Sequence, residues 1–309
     1  MNVLISGGFV FIGSYLTPYF LRKGANVGVI TRRVPETFRG IAQEVDCYVH
    51  DVGGGGGGPR LRRQYDCFVH LAGAVHSAPP LSDPLPHAVG VTRTCLEICR
   101  ANGIPRFIHF STFQVYGRDE GNVDEDTPVA CRNDYAAAHH LAEGEVMRAH
   151  RGGLLDYAIL RPTNCFGFSS VHMDVHRWSL VPSCFCRSAV EQDEIVLRTS
   201  GRQQKDFIHL EQVAGLTYGI SAMFDRFKNQ ATNLASGCTS PIIDVAASVR
   251  TAYERLANRS CAFRVLSDEP PVGAALVVSR RKTADLHFSP SGDLNLSADI
   301  MKTLAYLRS

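Results

Sequence analysis

Apolar positions along the first half of the chain fall into two alternating rhythms. Short apolar runs rich in Val, Ile and Phe begin at Val3-Leu4-Ile5 and return over residues 26–31, 45–50, 66–71 and 107–112. Between them, residues 12–23 and 87–101 carry apolar positions at helical spacing. Strands alternating with helices at these intervals predict an α/β fold, a doubly wound and mostly parallel sheet. The rhythm breaks once. Asp51-Val52 runs into six consecutive glycines, residues 53–58, followed by Pro59 and a short basic piece, residues 60–63. A tract without side chains has a high ordering entropy, so it predicts a mobile loop in a shortened crossover with no chemistry of its own. A proline-rich loop, with Pro79, Pro80, Pro84 and Pro86, precedes the helix expected from His87.

Composition narrows the class. With 309 residues, 45% hydrophobic and 20% charged, the chain has room for one large domain and a smaller appended lobe. The 32 basic and 30 acidic residues are not gathered into blocks, which argues against a nucleic-acid partner. No apolar run reaches the ~18 residues of a membrane span. The first strand starts at Asn2, leaving no room for a signal peptide, so a cytoplasmic location is expected. Cys67, Cys95, Cys99 and Cys165 fall within apolar patterns and read as small buried hydrophobes. No metal site is expected. Cys184-Phe185-Cys186 has no matching pair, and His172 and His176, with Asp174 between them, have no evident third ligand.

The chemistry begins in the first loop. Ser6-Gly7-Gly8-Phe9-Val10-Phe11-Ile12-Gly13-Ser14 joins the first strand to a helix that starts at Ile12. A strand, tight turn and helix in this order aim backbone N–H groups and a helix dipole at an anion, usually the pyrophosphate of a dinucleotide. In the frame G-x-x-G-x-x-G, Gly7 is first, Gly13 last, and Val10 stands where the middle glycine allows close approach to the phosphates. The second strand ends in Thr31-Arg32-Arg33 and not in an acidic residue. Two guanidiniums suit a 2′-phosphate, which favours NADP over NAD; the alternative is a solvated basic turn.

Six segments in order carry a family resemblance. They are the Gly7 to Gly13 loop, Phe68-Val69-His70-Leu71-Ala72, Ser111-Thr112-Phe113-Gln114-Val115-Tyr116-Gly117, Tyr135 with position 139, Leu160-Arg161-Pro162-Thr163-Asn164-Cys165-Phe166-Gly167, and residues 205–214 beginning Lys205-Asp206. Together they resemble the extended short-chain dehydrogenase/reductases, the NAD(P)-dependent epimerases and dehydratases of nucleotide-sugars. The resemblance implies a Rossmann domain, residues 1–165 with about 206–236, and a smaller substrate lobe, residues 166–205 with about 237–309. It implies a cofactor site at Gly7, Gly8, Phe11, Ile12, Gly13, Thr31, Arg32, Arg33, Asp51, Val52, Leu71, Ala72 and Gly73, with Tyr135 and His139 beside it. Substrate contacts are implied at Gln114, Asn164 and Lys205, and a homodimer is the family's common assembly.

By the same resemblance Thr112 bonds the reacting sugar oxygen and Tyr135 is the acid/base. A phenol of pKa ~10 needs a nearby positive charge to act as a base near neutrality. The family supplies a lysine one helical turn later, where this chain has His139. Imidazole is shorter and mostly neutral at pH 7. The dehydratase pattern places Asp-Glu directly after the threonine; here Phe113 and Gln114 stand there, and neither moves protons at useful pH. Lys205 replaces a phosphate-binding arginine. A second such arginine has no counterpart in residues 270–277, Arg280 and Arg281 being expected on a later helix. The expected function is a nucleotide-sugar epimerase or 4-keto reductase. The alternatives are a cofactor-binding protein that has lost redox chemistry and a reductase of a non-nucleotide ketone.

Overall fold

Seven parallel strands form the centre of the molecule, in a computed structural model that describes residues 1–54, 57–73, 84–168, 177–267, 274–286 and 295–309. The chain begins β1 (Asn2–Ser6), α1 (Gly13–Arg22), β2 (Asn26–Thr31), α2 (Arg39–Gln43), β3 (Asp46–Val49), β4 (Cys67–His70), α3 (Pro84–Asn102) and β5 (Arg106–Phe110). It continues through β6 (Gly121–Val123), α4 (Asp134–Arg151), β7 (Asp156–Pro162), β8 (Asn164–Phe166), α5 (Ser183–Gln192), β9 (Glu194–Leu197) and β10 (Gln204–His209). The remainder is α6 (Leu210–Ala222), α7 (Phe224–Phe227), β11 (Gln230–Leu234), β12 (Thr239–Pro241), α8 (Ile242–Ala257), β13 (Ala262–Val265), β14 (Leu276–Val278) and α9 (Leu296–Arg308).

The large sheet has the order β11-β7-β5-β4-β1-β2-β3. β1 lies between β2 and β4, so the chain winds outward from it in both directions and opens a crevice at the strand ends there. Side chains alternate between the two faces. Val3 and Ile5 join Leu16, Phe20, Val213 and Leu216 of α1 and α6 in one buried cluster. Leu4 and Phe68 join Cys95, Cys99 and Val146 of α3 and α4 in the other. Burial on both faces is why these strands read as continuous apolar runs. A separate cluster of Cys186, Ile195, Val249, Tyr253 and Ile300 gathers α5, β9, α8 and α9.

Three details differ from the sequence pattern. α3 starts at Pro84, ahead of His87, because prolines fit a first helical turn, where N–H groups have no intrahelical partner. Arg280 and Arg281 are not helical: the Arg281 N–H donates to the Ser279 hydroxyl at 3.3 Å and residues 281–285 form turns. The glycine tract, whose residues 55–56 lie outside the described residues, ends in a close approach. A Cβ on Gly58 would lie 2.2 Å from Ile98 Cγ1, so the backbone packs directly against α3. In keeping with the expected shortened crossover, β4 is reached from β3 without a helix among the described residues.

The cysteines are free thiols, with Cys67, Cys95 and Cys99 buried, and no group of three metal-ligating side chains occurs among the described residues. His172, Asp174 and His176 lie outside the described residues. Among those described, no helix is long and apolar enough to cross a membrane.

Candidate active site

The loop between β1 and α1 is drawn tightly over the strand end. Gly7 has φ +73°, and a Cβ on Gly13 would lie 2.2 Å from the Gly7 carbonyl oxygen, so both positions require glycine. A Cβ on Gly8 would meet the Val29 side chain at 2.8 Å. Phe9 and Phe11 are buried and anchor the loop, with the Phe9 ring 5.0 Å from that of Phe38. α1 begins after Ile12 without a side-chain cap, which leaves its N-terminus to whatever lies in the crevice. Val10 is 46% exposed, its Cγ2 leaning over Gly7.

The other expected cofactor positions line strand ends. The Thr31 hydroxyl donates to the Arg33 carbonyl at 2.6 Å, holding a turn from which Arg32 and Arg33 extend exposed. Asp51 accepts from the Gly53 N–H at 2.9 Å, and Val52 is buried with the α3 side chains. Leu71, Ala72 and Gly73 follow β4 and are half-buried, with Leu71 bonded back to the Ser6 carbonyl at 3.1 Å.

Tyr135 and His139 lie one turn apart on α4, their rings edge to face at 4.7 Å. Asn133 fixes where this helix begins. Its side chain accepts from the Ala136 N–H at 2.8 Å and donates to Gln114 at 3.3 Å, tying α4 to the turn that follows Thr112. Thr112 is buried at the start of that turn, its hydroxyl accepting from the Gln114 N–H at 3.3 Å. Arg177 stands half-buried in the segment before α5. Burial pushes the Tyr135 phenol above its ordinary range, and the Arg177 charge opposes this.

Part of the interior is polar. The rings of His70 and His109 lie 5.3 Å apart, His70 held between the Ser6 hydroxyl at 2.8 Å and the Thr92 hydroxyl at 3.1 Å. Burial, and then the His139 charge, would push His109 down to about 3, so it is neutral. Arg161 binds Glu143 through two hydrogen bonds and stacks 4.8 Å over the Tyr116 ring.

The expected substrate residues are engaged within the protein. Lys205 is paired with Asp119, which also pairs with Arg132. Asn164 donates to the Asp206 carbonyl at 2.9 Å. The Asp206 carboxylate is buried and accepts from the Thr163 hydroxyl, the Ser236 N–H and hydroxyl, and the Gly237 N–H.

A family model described as the NAD dependent epimerase/dehydratase family matches residues 3–235. The chain belongs to this family. Among its curated relatives, a dTDP-glucose 4,6-dehydratase of Streptomyces niveus is 27% identical over 68% of this chain, and the match spans 66% of that protein. A putative UDP-glucose 4-epimerase of Methanocaldococcus jannaschii is 22% identical over 76% of this chain and 77% of its own. The UDP-glucuronic acid 4-epimerase of Bacillus cereus, solved with UDP-glucuronic acid and NAD, shares the fold with a TM-score of 0.76 at 19% identity, covering 100% of this chain and 99% of its own. TunA, an NAD dependent NDP-hexosamine 5,6-dehydratase of tunicamycin biosynthesis, gives 0.75 at 22% identity, covering 99% and 97%. Membership in the family makes the protein an NAD-dependent enzyme of the epimerase and dehydratase type.

The geometry sets Tyr135 and His139 together on α4, ties that helix to the turn after Thr112, and keeps Lys205 on Asp119. Arg177 was absent from the sequence expectations. It sits in a segment without periodicity, and no motif marks it. Glu143, partner of the motif residue Arg161, was also missed, although a buried arginine demands a carboxylate.

Proposed function

We propose that the protein is an epimerase or 4-keto reductase of nucleotide-linked sugars, working with a nicotinamide dinucleotide and using Tyr135 as acid/base. The observation that carries this reading is the placing of Tyr135 and His139 one turn apart on α4, which Asn133 ties to the turn after Thr112, on a family scaffold.

The first loop fits a dinucleotide. Its glycines bring the backbone of Gly7 and Gly13 into direct contact, and the uncapped start of α1 offers N–H groups to a pyrophosphate. Gly7, Gly8, Phe11, Ile12 and Gly13 would hold the phosphates, with Val10 at the rim. Leu71, Ala72 and Gly73 would pass beneath the rest of the cofactor, and Asp51 and Val52 would flank its base. Arg32 and Arg33 suit a 2′-phosphate, although the solved relatives above are described with NAD. When bound, the nicotinamide takes a hydride from the sugar carbon or delivers one to it.

The protein's own part is proton movement and orientation. Thr112 donates a hydrogen bond to the reacting oxygen. Tyr135, as phenolate, takes the proton of the sugar hydroxyl as its carbon is oxidised, and as phenol gives a proton back when the carbonyl is reduced. Phe113, which is buried, and Gln114 offer no carboxyl group for the loss of water, so dehydration through an acidic pair at these positions is not proposed. Asn164 and Lys205 would meet the nucleotide half, Lys205 after leaving Asp119. The cluster of α5, β9, α8 and α9 would form the substrate lobe, and two copies would associate as a dimer.

Incubation with each nicotinamide nucleotide and a panel of UDP- and dTDP-sugars, followed by NMR and mass spectrometry, tests the reading. Tyr135→Phe is expected to abolish turnover while leaving dinucleotide affinity within about twofold. Full activity in that variant refutes the acid/base assignment. Failure of every nucleotide-sugar to turn over or to stabilise the fold refutes the substrate class.

A further inference from the structure

Charged side chains from three separate segments meet at one carboxylate. Lys205, on β10, pairs with Oδ1 of Asp119, and Arg132 donates through Nη1 to Oδ2 at 3.1 Å. Each oxygen of the carboxylate thus has its own cation. Asp119 leaves from a fixed point ahead of β6. Gly117 has φ +59°, a Cβ on it would lie 2.0 Å from the Ala130 carbonyl oxygen, and the Ala130 N–H donates to the Val115 carbonyl at 2.9 Å.

Both cations come from segments that flank the candidate site. Arg132 precedes Asn133, the residue that caps α4 and bonds Gln114, two positions after Thr112. α4 leads from β5 into β7, which are parallel neighbours, so its first turn lies at the sheet edge where β5 ends. Lys205 reaches the same carboxylate from β10, whose Phe207 lies beside Asn164 of β8, just past the end of β7. The cluster is open to solvent, the Asp119 side chain being 42% and that of Arg132 64% exposed. Ion pairs this open are worth little, so a better anion can displace them. A diphosphate carries more charge and more acceptor oxygens than a carboxylate and competes for the same two cations.

We propose that Asp119 is a built-in substitute for the substrate's diphosphate, a latch that occupies Lys205 and Arg132 until the ligand displaces it, and that Arg132 is the second cation of the diphosphate site. Arg132 thereby supplies the charge for which residues 270–277 contain no arginine. It does so from the segment that leads into the helix of Tyr135, so the anion that opens the latch also contacts the residue next to the cap of that helix. A ligand without a diphosphate leaves the latch shut.

The inference rests on the nucleotide-linked substrate proposed above, and its test requires no turnover. UDP, dTDP and, as a control without phosphate, uridine are titrated into the full chain by calorimetry. Asp119→Asn, which keeps the shape and removes the charge, is expected to tighten UDP by about three- to tenfold and to leave uridine unchanged. Arg132→Gln in the Asp119→Asn background is expected to weaken UDP by about tenfold, the loss of a charge-assisted hydrogen bond. In the parent the same substitution should cost less, because it also loosens the latch. Unchanged UDP affinity in Asp119→Asn overturns the proposal, and so does an equal gain for uridine, which would place the effect away from the phosphates. Unchanged affinity on adding Arg132→Gln to Asp119→Asn overturns the second cation. If neither UDP nor dTDP binds the parent or Asp119→Asn, the proposed substrate class falls and the latch falls with it; binding that ignores both substitutions refutes the latch alone.

Discussion

Arg161 grips Glu143 with two hydrogen bonds, Nε to Oε1 at 2.9 Å and Nη2 to Oε2 at 2.7 Å, both side chains shut away from solvent. The pair fastens β7 to the helix that carries Tyr135. Removing one partner strands a buried charge, so Arg161→Met should lower unfolding free energy by about 3–5 kcal/mol. Pairing Arg161→Met with Glu143→Met should lose markedly less, because neither charge remains. Burial works to raise the Glu143 pKa, but hydrogen bonds from His140 and Arg161 and the Arg161 charge hold it at about 2, below the ordinary 4.5. A depressed carboxylate pKa contributes stability that is present above pH 4.5 and lost as pH falls toward 2. Urea titrations from pH 6 to pH 2.5 should show this slope flattened in the double variant.

His109 has both ring nitrogens buried without a hydrogen-bond partner among the described residues. Its pKa is pushed from 6.5 down to about 3, so the unfolded chain takes up a proton that the folded one refuses. Stability is therefore full above pH 6.5 and declines by about 1.4 kcal/mol per pH unit as pH falls toward 3. His109→Leu removes this contribution and the unsatisfied polar atoms together. It should match or exceed the parent at pH 7 and clearly exceed it at pH 5. A variant less stable than the parent at pH 5 would falsify this account.

Val10 and Gly13 should respond in opposite directions. Val10→Gly clears the rim of the loop and should tighten dinucleotide binding severalfold by calorimetry, at a cost of up to about 1 kcal/mol in stability. Gly13→Ala drives a methyl into the Gly7 carbonyl and should both destabilise the fold and weaken binding at least tenfold. Equal affinity of Val10→Gly and the parent would show that the isopropyl group stands clear of the phosphates.

Arg32 and Arg33 are exposed at the end of β2, where a ribose 2′-phosphate would lie. Replacing both by alanine should raise the Kd for NADPH by about tenfold or more, one to two charge-assisted hydrogen bonds, and leave that for NADH nearly unchanged. Equal losses for the two cofactors would make the pair a general basic turn.

The sheet was legible because its strands are covered on both faces. Continuous apolar runs bounded by Gly7, Gly24 and Gly73 place β1, β2 and β4 within a residue or so of where they lie. Elements whose determinants are not periodic were misplaced. Pro84 and Pro86 mark a loop in sequence, yet a first helical turn accepts them equally well. Arg280-Arg281-Lys282 gives no apolar stripe from which a turn could be told from a helix. In the candidate site, Thr112, Tyr135 and His139 were expected from family resemblance, and Tyr135 and His139 lie one turn apart on α4. The bond from Asn133 to Gln114 was not, because it joins two segments apart in sequence and leaves no trace in the pattern of either.

Asp206 sits next to Lys205 on β10, and alternation along the strand sends the two side chains to opposite faces. One carboxylate thereby receives donors from the residue after β7 and from the loop after β11, while its neighbour reaches Asp119. Three chain segments are pinned to a common point beneath the crevice, so none can shift without breaking a buried charge-assisted bond. A change at Asp206 would therefore loosen all three at once, a single position on which the end of β7, the loop after β11 and β10 depend together.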